Sequence, residues 1–177
     1  MNETVRWLDE GNRRYAGSGV FSGDVSEERR KANANGQKPR AVIVTCSDSR
    51  VVPEAVFSCG IGELFVIRTA GNVIGISELA SIEYAVDHLG TDTVVVLGHT
   101  ACGAVQAALH GEAGGHVGAV TGEIIRSIGD EKDPDRACLL NVEAGVNRIR
   151  KEFPDPRLCL CGAVYDIVSG RTEFLEL

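Results

Sequence analysis

Three residues able to bind a metal stand where short apolar runs stop. Cys46 ends the stretch AVIVTC at 41–46, and His99 and Cys102 lie in TVVVLGHTAC at 93–102. Two thiolates and one imidazole make a three-ligand zinc set that leaves one tetrahedral position open. That is the ligand count of a catalytic zinc, since structural sites normally close with four protein ligands. An acid follows the first ligand by two residues and a base follows that acid by two, in Cys46-Ser47-Asp48-Ser49-Arg50. In a loop leaving a strand, the Arg50 guanidinium can hold the Asp48 carboxylate ionised and aimed toward the metal. Taken alone, Asp48 and Arg50 read equally as a surface ion pair worth under about 1 kcal/mol. His99 and Cys102, at a spacing of three, would share one side of a first helical turn and read alone as packed residues. Their conjunction with Cys46 favours the metal.

The elements that must position these residues follow from periodicity. The β-branched runs Ala41–Thr45 and Thr93–Leu97 are expected as buried strands, with Pro39 ahead of the first where no ladder donor is needed. Between them, Pro53–Phe57 predicts a short helix broken by Gly60 and Gly62, and Leu64–Ile67 predicts another buried strand. A helix is expected from Ser77 as N-cap, with Leu79, Ile82, Val86 and Leu89 on one face and Gly90 as its stop. Strand, helix and strand in succession, with continuously apolar strands, indicate a parallel sheet covered on both faces. Ligands of such sheets sit in the crevice beyond the strands' carboxyl ends, where Cys46 and His99 fall.

Elsewhere, Asn2–Tyr15 predicts an amphipathic helix through Val5, Leu8, Asn12 and Tyr15. Residues 17–38 read as a polar loop with at most one helical turn, whose charge run Glu27–Lys31 is expected to be a solvated face. Helices are expected over Ala104–His110 and Val120–Ile128, and through Val142, Val146, Ile149 and Phe153, the last ended by Pro154 and Pro156. Leu158–Ile167 and Thr172–Leu177 predict a terminal strand pair around Ser169-Gly170. The whole is expected to be one α/β domain over 1–177, with an N-terminal helical arm at about 1–36.

Composition narrows the function. The 177 residues are 44% hydrophobic and 24% charged, ordinary for a soluble globular domain. A net charge of -7 and a pI near 5.1 argue against a nucleic-acid surface and point to a small-molecule substrate. Neither a signal-peptide core nor a membrane-length apolar window is present, so the cytoplasm is the expected location. Six cysteines in that compartment are expected to be reduced, as ligands or as inert core thiols such as Cys138, Cys159 and Cys161.

CSDSR at 46–50, GELFVIRTAGN at 62–72, SIEYAVDHLG at 81–90 and GHTACGAV at 98–105 resemble the β-class carbonic anhydrases. The likeness runs from DEGNRRY at 9–15 to AVYDIVSG at 163–170. It implies one Zn²⁺ per chain on Cys46, His99 and Cys102, an Asp48–Arg50 dyad, and reversible hydration of carbon dioxide to bicarbonate. It also implies a core of four parallel strands, a homodimer or larger homo-oligomer with sites at the interface, and a narrow substrate pocket to which Gln37, Phe65 and Tyr84 correspond. Some members are switched off by bicarbonate in a second pocket made by a Trp, a small residue and an Arg. Ile43, Thr45 and Arg68 occupy those positions here, so the resemblance implies an open site without that switch. Two alternatives stand beside this reading: a CS₂ or COS hydrolase on the same scaffold, and a non-enzymatic zinc or redox module.

Overall fold

The computed structural model describes residues 2–112 and 114–175. Its centre is a five-stranded sheet in the order β2-β1-β3-β4-β5, built from β1 (Ala41–Cys46), β2 (Leu64–Thr69), β3 (Thr93–His99), β4 (Cys159–Tyr165) and β5 (Thr172–Leu175). The first four strands are parallel, and β5 returns antiparallel to β4. This is the expected α/β architecture, with the terminal antiparallel pair where the strand pattern put it.

Strands β1 and β3 are buried along their whole length, which is why they read as unbroken apolar runs. The period of two still sorts their side chains. Val42, Val44, Val94 and Val96 face α4 (Ile76–Asp87) and α7 (Pro134–Glu152), in one cluster with Leu79, Ile82, Val142, Val146 and Ile149. Ala41, Ile43, Val95 and Leu97 face the other way, onto Leu8 of α1 (Glu3–Ser18) and onto Val56 and Phe57 around α3 (Pro53–Val56). A third cluster lies beyond the strand ends, among α5 (Gly103–Leu109), α6 (Val117–Ile128) and α7, and it contains Cys46 and Cys102.

Local capping explains where the helices begin. Asn2 Oδ1 accepts from Val5 N at 2.8 Å to open α1, and Gly19, at φ 64, ends it. Asn12 is no part of an apolar stripe. It is 2% exposed and ties α1 to the end of α3 and to the start of β5, donating to Val56 O and Gly170 O and accepting from Thr172 N. The charge run lies on α2 (Glu27–Ala32), which has no buried residue. Helix α4 starts at Ile76, two residues before its expected first turn, with Gly75 rather than Ser77 as N-cap. The cause is Glu78, whose carboxylate reaches back to accept from Gly75 N at 2.7 Å. Helix α7 begins at Pro134, about two turns before its apolar stripe, because Asp133 Oδ1 accepts from Arg136 N and Pro suits the first turn.

Candidate metal centre

Cys46 is the last residue of β1 and His99 the last of β3, and these strands pair directly, Val42–Thr45 beside Val94–Leu97. Their carboxyl ends therefore open side by side. Cys102 joins them by a turn, and here the expected helical spacing does not hold. Ala101 adopts φ 52, a left-handed conformation, and Cys102 is the extended N-cap of α5. Thr100 braces the turn against the C-terminal strands, donating from its N–H to Tyr165 O at 2.9 Å and accepting at its hydroxyl from Ile167 N at 3.1 Å.

The three ligand atoms lie within 4.8 Å of one another, and all three residues are buried. The two sulfurs are 4.0 Å apart, close to the roughly 3.8 Å that two thiolates take across a tetrahedral zinc. His99 Nδ1–H donates to Thr100 O at 2.9 Å, which fixes the tautomer and leaves Nε2 as the free lone pair. Nε2 is buried and has no hydrogen-bond partner. A buried nitrogen acceptor facing two thiols, with no partner of its own, fits a soft divalent cation. Two thiols this close share a charge unevenly. The hydrogen bond from Cys102 draws the Cys46 thiol well below its ordinary value against the cost of burial, and Cys102 is pushed up in turn.

Asp48 stands beside this trio, with Oδ2 3.9 Å from His99 Nε2. Arg50 grips it as a fork, Nε to Oδ1 at 2.9 Å and Nη2 to Oδ2 at 2.6 Å, and also donates from Nη2 to Ala101 O at 3.1 Å. One guanidinium thus ties the loop after β1 to the turn after β3. Its hydrogen bond holds the Asp48 carboxyl well below the usual carboxylate range.

Gln37, Phe65 and Tyr84 are not brought to this point within one chain. Phe65 pairs with Val42, four residues before the Thr69 that pairs with Cys46, which places it about 13 Å back along the strand. Tyr84 packs near it, ring centroids 6.3 Å apart, and is 46% exposed. Gln37 is exposed in the loop before β1.

A family model described as carbonic anhydrase matches residues 41–172. Carbonic anhydrase 2 of Mycobacterium tuberculosis is 42% identical over 150 residues, 84% of this chain and 70% of that protein. The crystal structure of the β-carbonic anhydrase CafA of Aspergillus fumigatus matches with a TM-score of 0.77 at 29% identity, covering 84% of this chain and 81% of that one. The chain belongs to the β-carbonic anhydrase family. Hydration of CO₂ is the general reaction of such enzymes. A carbonic anhydrase of Pseudomonas aeruginosa is 37% identical over 172 residues, 82% of this chain and 77% of its own. A tetrameric β-carbonic anhydrase of Sordaria macrospora matches 99% of this chain and 98% of its own, with a TM-score of 0.74 and 29% identity.

At the second-pocket positions of this carbonic anhydrase, Ile43 is fully buried in the core below β1. The Thr45 hydroxyl is spent on Leu97 O at 2.8 Å. Arg68 donates to Cys46 O and Asp48 O. Sequence reasoning missed three supports of the site: Thr100, Asn141, which donates to Gly71 O at 2.8 Å, and Cys138, whose thiol donates to His99 O at 3.2 Å. Asn141 had left a trace, since a lone amide inside the apolar face of a helix must find a partner. Burial raises the Cys138 and Cys161 thiols to about 11, in keeping with their apolar sequence contexts.

Proposed function

We propose that Cys46, His99 and Cys102 hold one zinc ion per chain and that the enzyme hydrates carbon dioxide reversibly to bicarbonate and a proton. The observation that carries this is the buried His99 Nε2, without a partner and facing two sulfurs, next to an ionised Asp48. Bound there, zinc supplies a water acidified toward neutrality as the nucleophile for the carbon of CO₂.

The chain's own residues do the rest. Two thiolates cancel the formal charge of a divalent cation, so an orienting acceptor gains in importance. Asp48 is that acceptor: it takes a hydrogen bond from the reacting water and turns its lone pair toward the substrate. Arg50 keeps Asp48 anionic and fixes the carboxylate in its two-armed grip beside the three donors. Thr100 O holds the proton on Nδ1, so His99 turns its Nε2 toward the two sulfurs as the ligand atom.

Gln37, Phe65 and Tyr84 of one subunit line the pocket of a neighbour in a homodimer or larger assembly. Supporting this, exposed Tyr84 adjoins Phe65, and Val20, Phe21 and Val25 are exposed apolar side chains. With Ile43 buried and the Thr45 hydroxyl engaged, bicarbonate acts as substrate and product without sigmoidal inhibition. The six cysteines form no disulfide, which suits a reducing cytoplasm. No helix of the described residues is long and apolar enough to cross a membrane.

Metal analysis with stopped-flow CO₂ hydration tests the reading. Wild type should carry one zinc per chain, and Cys46→Ala and Cys102→Ala should lose both metal and rate. Full zinc in either variant overturns the ligand assignment. Faster turnover of COS or CS₂ than of CO₂ overturns the substrate, and a fully active monomer overturns the shared pocket.

A further inference from the structure

The Cys46 sulfur accepts two backbone N–H groups, Gly71 N at 3.3 Å and Asp48 N at 3.4 Å. Neither amide belongs to a regular ladder, and each is held by a side chain from another element. Asp48 lies in the loop after β1. Arg68, on β2, donates from Nε to Cys46 O at 3.2 Å and from Nη2 to Asp48 O at 2.7 Å, so the guanidinium clamps the backbone on both sides of Ser47. Gly71 lies in the 3-10 turn Ala70–Asn72, at φ 62 and ψ 24. Its carbonyl is pinned by Asn141 Nδ2, from α7, at 2.8 Å. The turn admits only glycine there: a Cβ would meet Ile124 Cδ1 at 2.7 Å and Ala104 Cβ at 3.0 Å. Asn141 is 5% exposed, and a buried amide is retained at a cost unless it is hydrogen-bonded.

We propose that Arg68 and Asn141 are positioning residues that hold two amides against the Cys46 sulfur and so set how much charge this thiolate gives the metal. The proposal rests on the zinc reading above. An N–H···S bond draws electron density from the thiolate, which leaves the metal a stronger Lewis acid. In a ligand set whose two thiolates already neutralise a divalent cation, tempering one of them returns acidity to the water that Asp48 orients. Arg68 and Asn141 donate to backbone carbonyls and act through these peptide groups.

The test uses the full-length protein with Co²⁺ in place of zinc, because the sulfur-to-cobalt charge-transfer band reports the electron richness of the thiolates. Arg68→Gln and Asn141→Leu should both move that band to lower energy. With zinc, both should lose about 10- to 100-fold of CO₂ hydration at pH 7, the scale of outer-shell changes at metal sites. Rate should return as the pH is raised, because the acidity of the water is what has changed. Arg68→Lys, which restores one donor, should recover part of both effects. If Asn141→Leu does not fold, Asn141→Asp, of the same shape but without the amide donor, is read in its place. An unmoved band in a folded variant, or a rate loss equal at every pH, overturns the proposal. A wild-type protein that shows no charge-transfer band with cobalt instead overturns the metal site itself.

Discussion

Gly98, the residue just before His99, has its missing side chain filled by α7. A Cβ built there would sit 2.6 Å from Val142 Cγ2 and 3.2 Å from Cys138 Sγ. Carbon atoms in contact prefer about 3.5–4.0 Å, so Gly98→Ala must push α7 and β3 apart by roughly 1 Å at this point. Overpacking of this kind costs about 1–3 kcal/mol, against a gain of roughly 0.5–1 kcal/mol from replacing a strand glycine. The expected net loss is roughly 1–2 kcal/mol, or about 2–8 °C in Tm for a chain of this size. Urea and thermal unfolding of Gly98→Ala, Val142→Ala and the double variant would measure it. If the Val142 methyl is the obstacle, Gly98→Ala should be milder in the Val142→Ala background by about 1 kcal/mol or more. An equal loss in both backgrounds, or no loss at all, would refute the packing argument. The same push acts on the strand end that carries His99, whose carbonyl accepts the Cys138 thiol, so zinc retention should fall with stability.

Arg50→Gln should keep zinc yet lower CO₂ hydration by about 10-fold or more, the scale of a misplaced acid–base partner. Arg50 depresses the Asp48 pKa, so the stability from this pair is present above the ordinary carboxylate pKa near 4 and is lost as the pH falls below it. Wild type should therefore lose more stability on acidification than Arg50→Gln, and parallel curves would deny the pair any role in folding. Asn12→Ala removes three hydrogen bonds that join α1 to the end of α3 and to residues 170–172 at the start of β5. About 2–4 kcal/mol of stability should go with them, measurable by urea unfolding. Cys59 and Cys138 are buried and their thiols are raised by desolvation, so a thiol reagent at pH 8 should label neither until urea is added. Rapid labelling of either in the native enzyme would contradict their burial.

The sheet and the meeting of Cys46, His99 and Cys102 were legible because both depend on local signals. Ala41–Thr45 and Thr93–Leu97 are β-branched runs, and donor side chains end them abruptly. What eluded the sequence depends on backbone hydrogen bonds or on distant segments. Ser77 looked like the better cap until Glu78 folded back on Gly75. His99 and Cys102 have helical spacing, yet they meet across a left-handed Ala101, a conformation that nothing in alanine's chemistry announces. Asn12 fell at a helical interval with Val5 and Leu8, and its role appears only once residues 56, 170 and 172 are beside it. Resemblance alone assigned Gln37, Phe65 and Tyr84 to a pocket at an interface, and within one chain Phe65 lies about 13 Å back along its strand from the level of Cys46.

The direct pairing of β1 with β3 has a consequence for the order of assembly. Cys46 and His99 are separated in the chain by all of β2 and α4, and they become neighbours only when the two most buried strands form their ladder. Contacts between such distant segments close late, after the entropy of the intervening loop has been overcome. A metal ion has no compact site to find before that point, so it cannot template the fold as it does in small zinc modules. The apolar sheet does that work first and presents a finished set of donors. Stripping the metal with a chelator should therefore abolish hydration while leaving far-ultraviolet circular dichroism unchanged, and readded zinc should restore activity without a refolding phase.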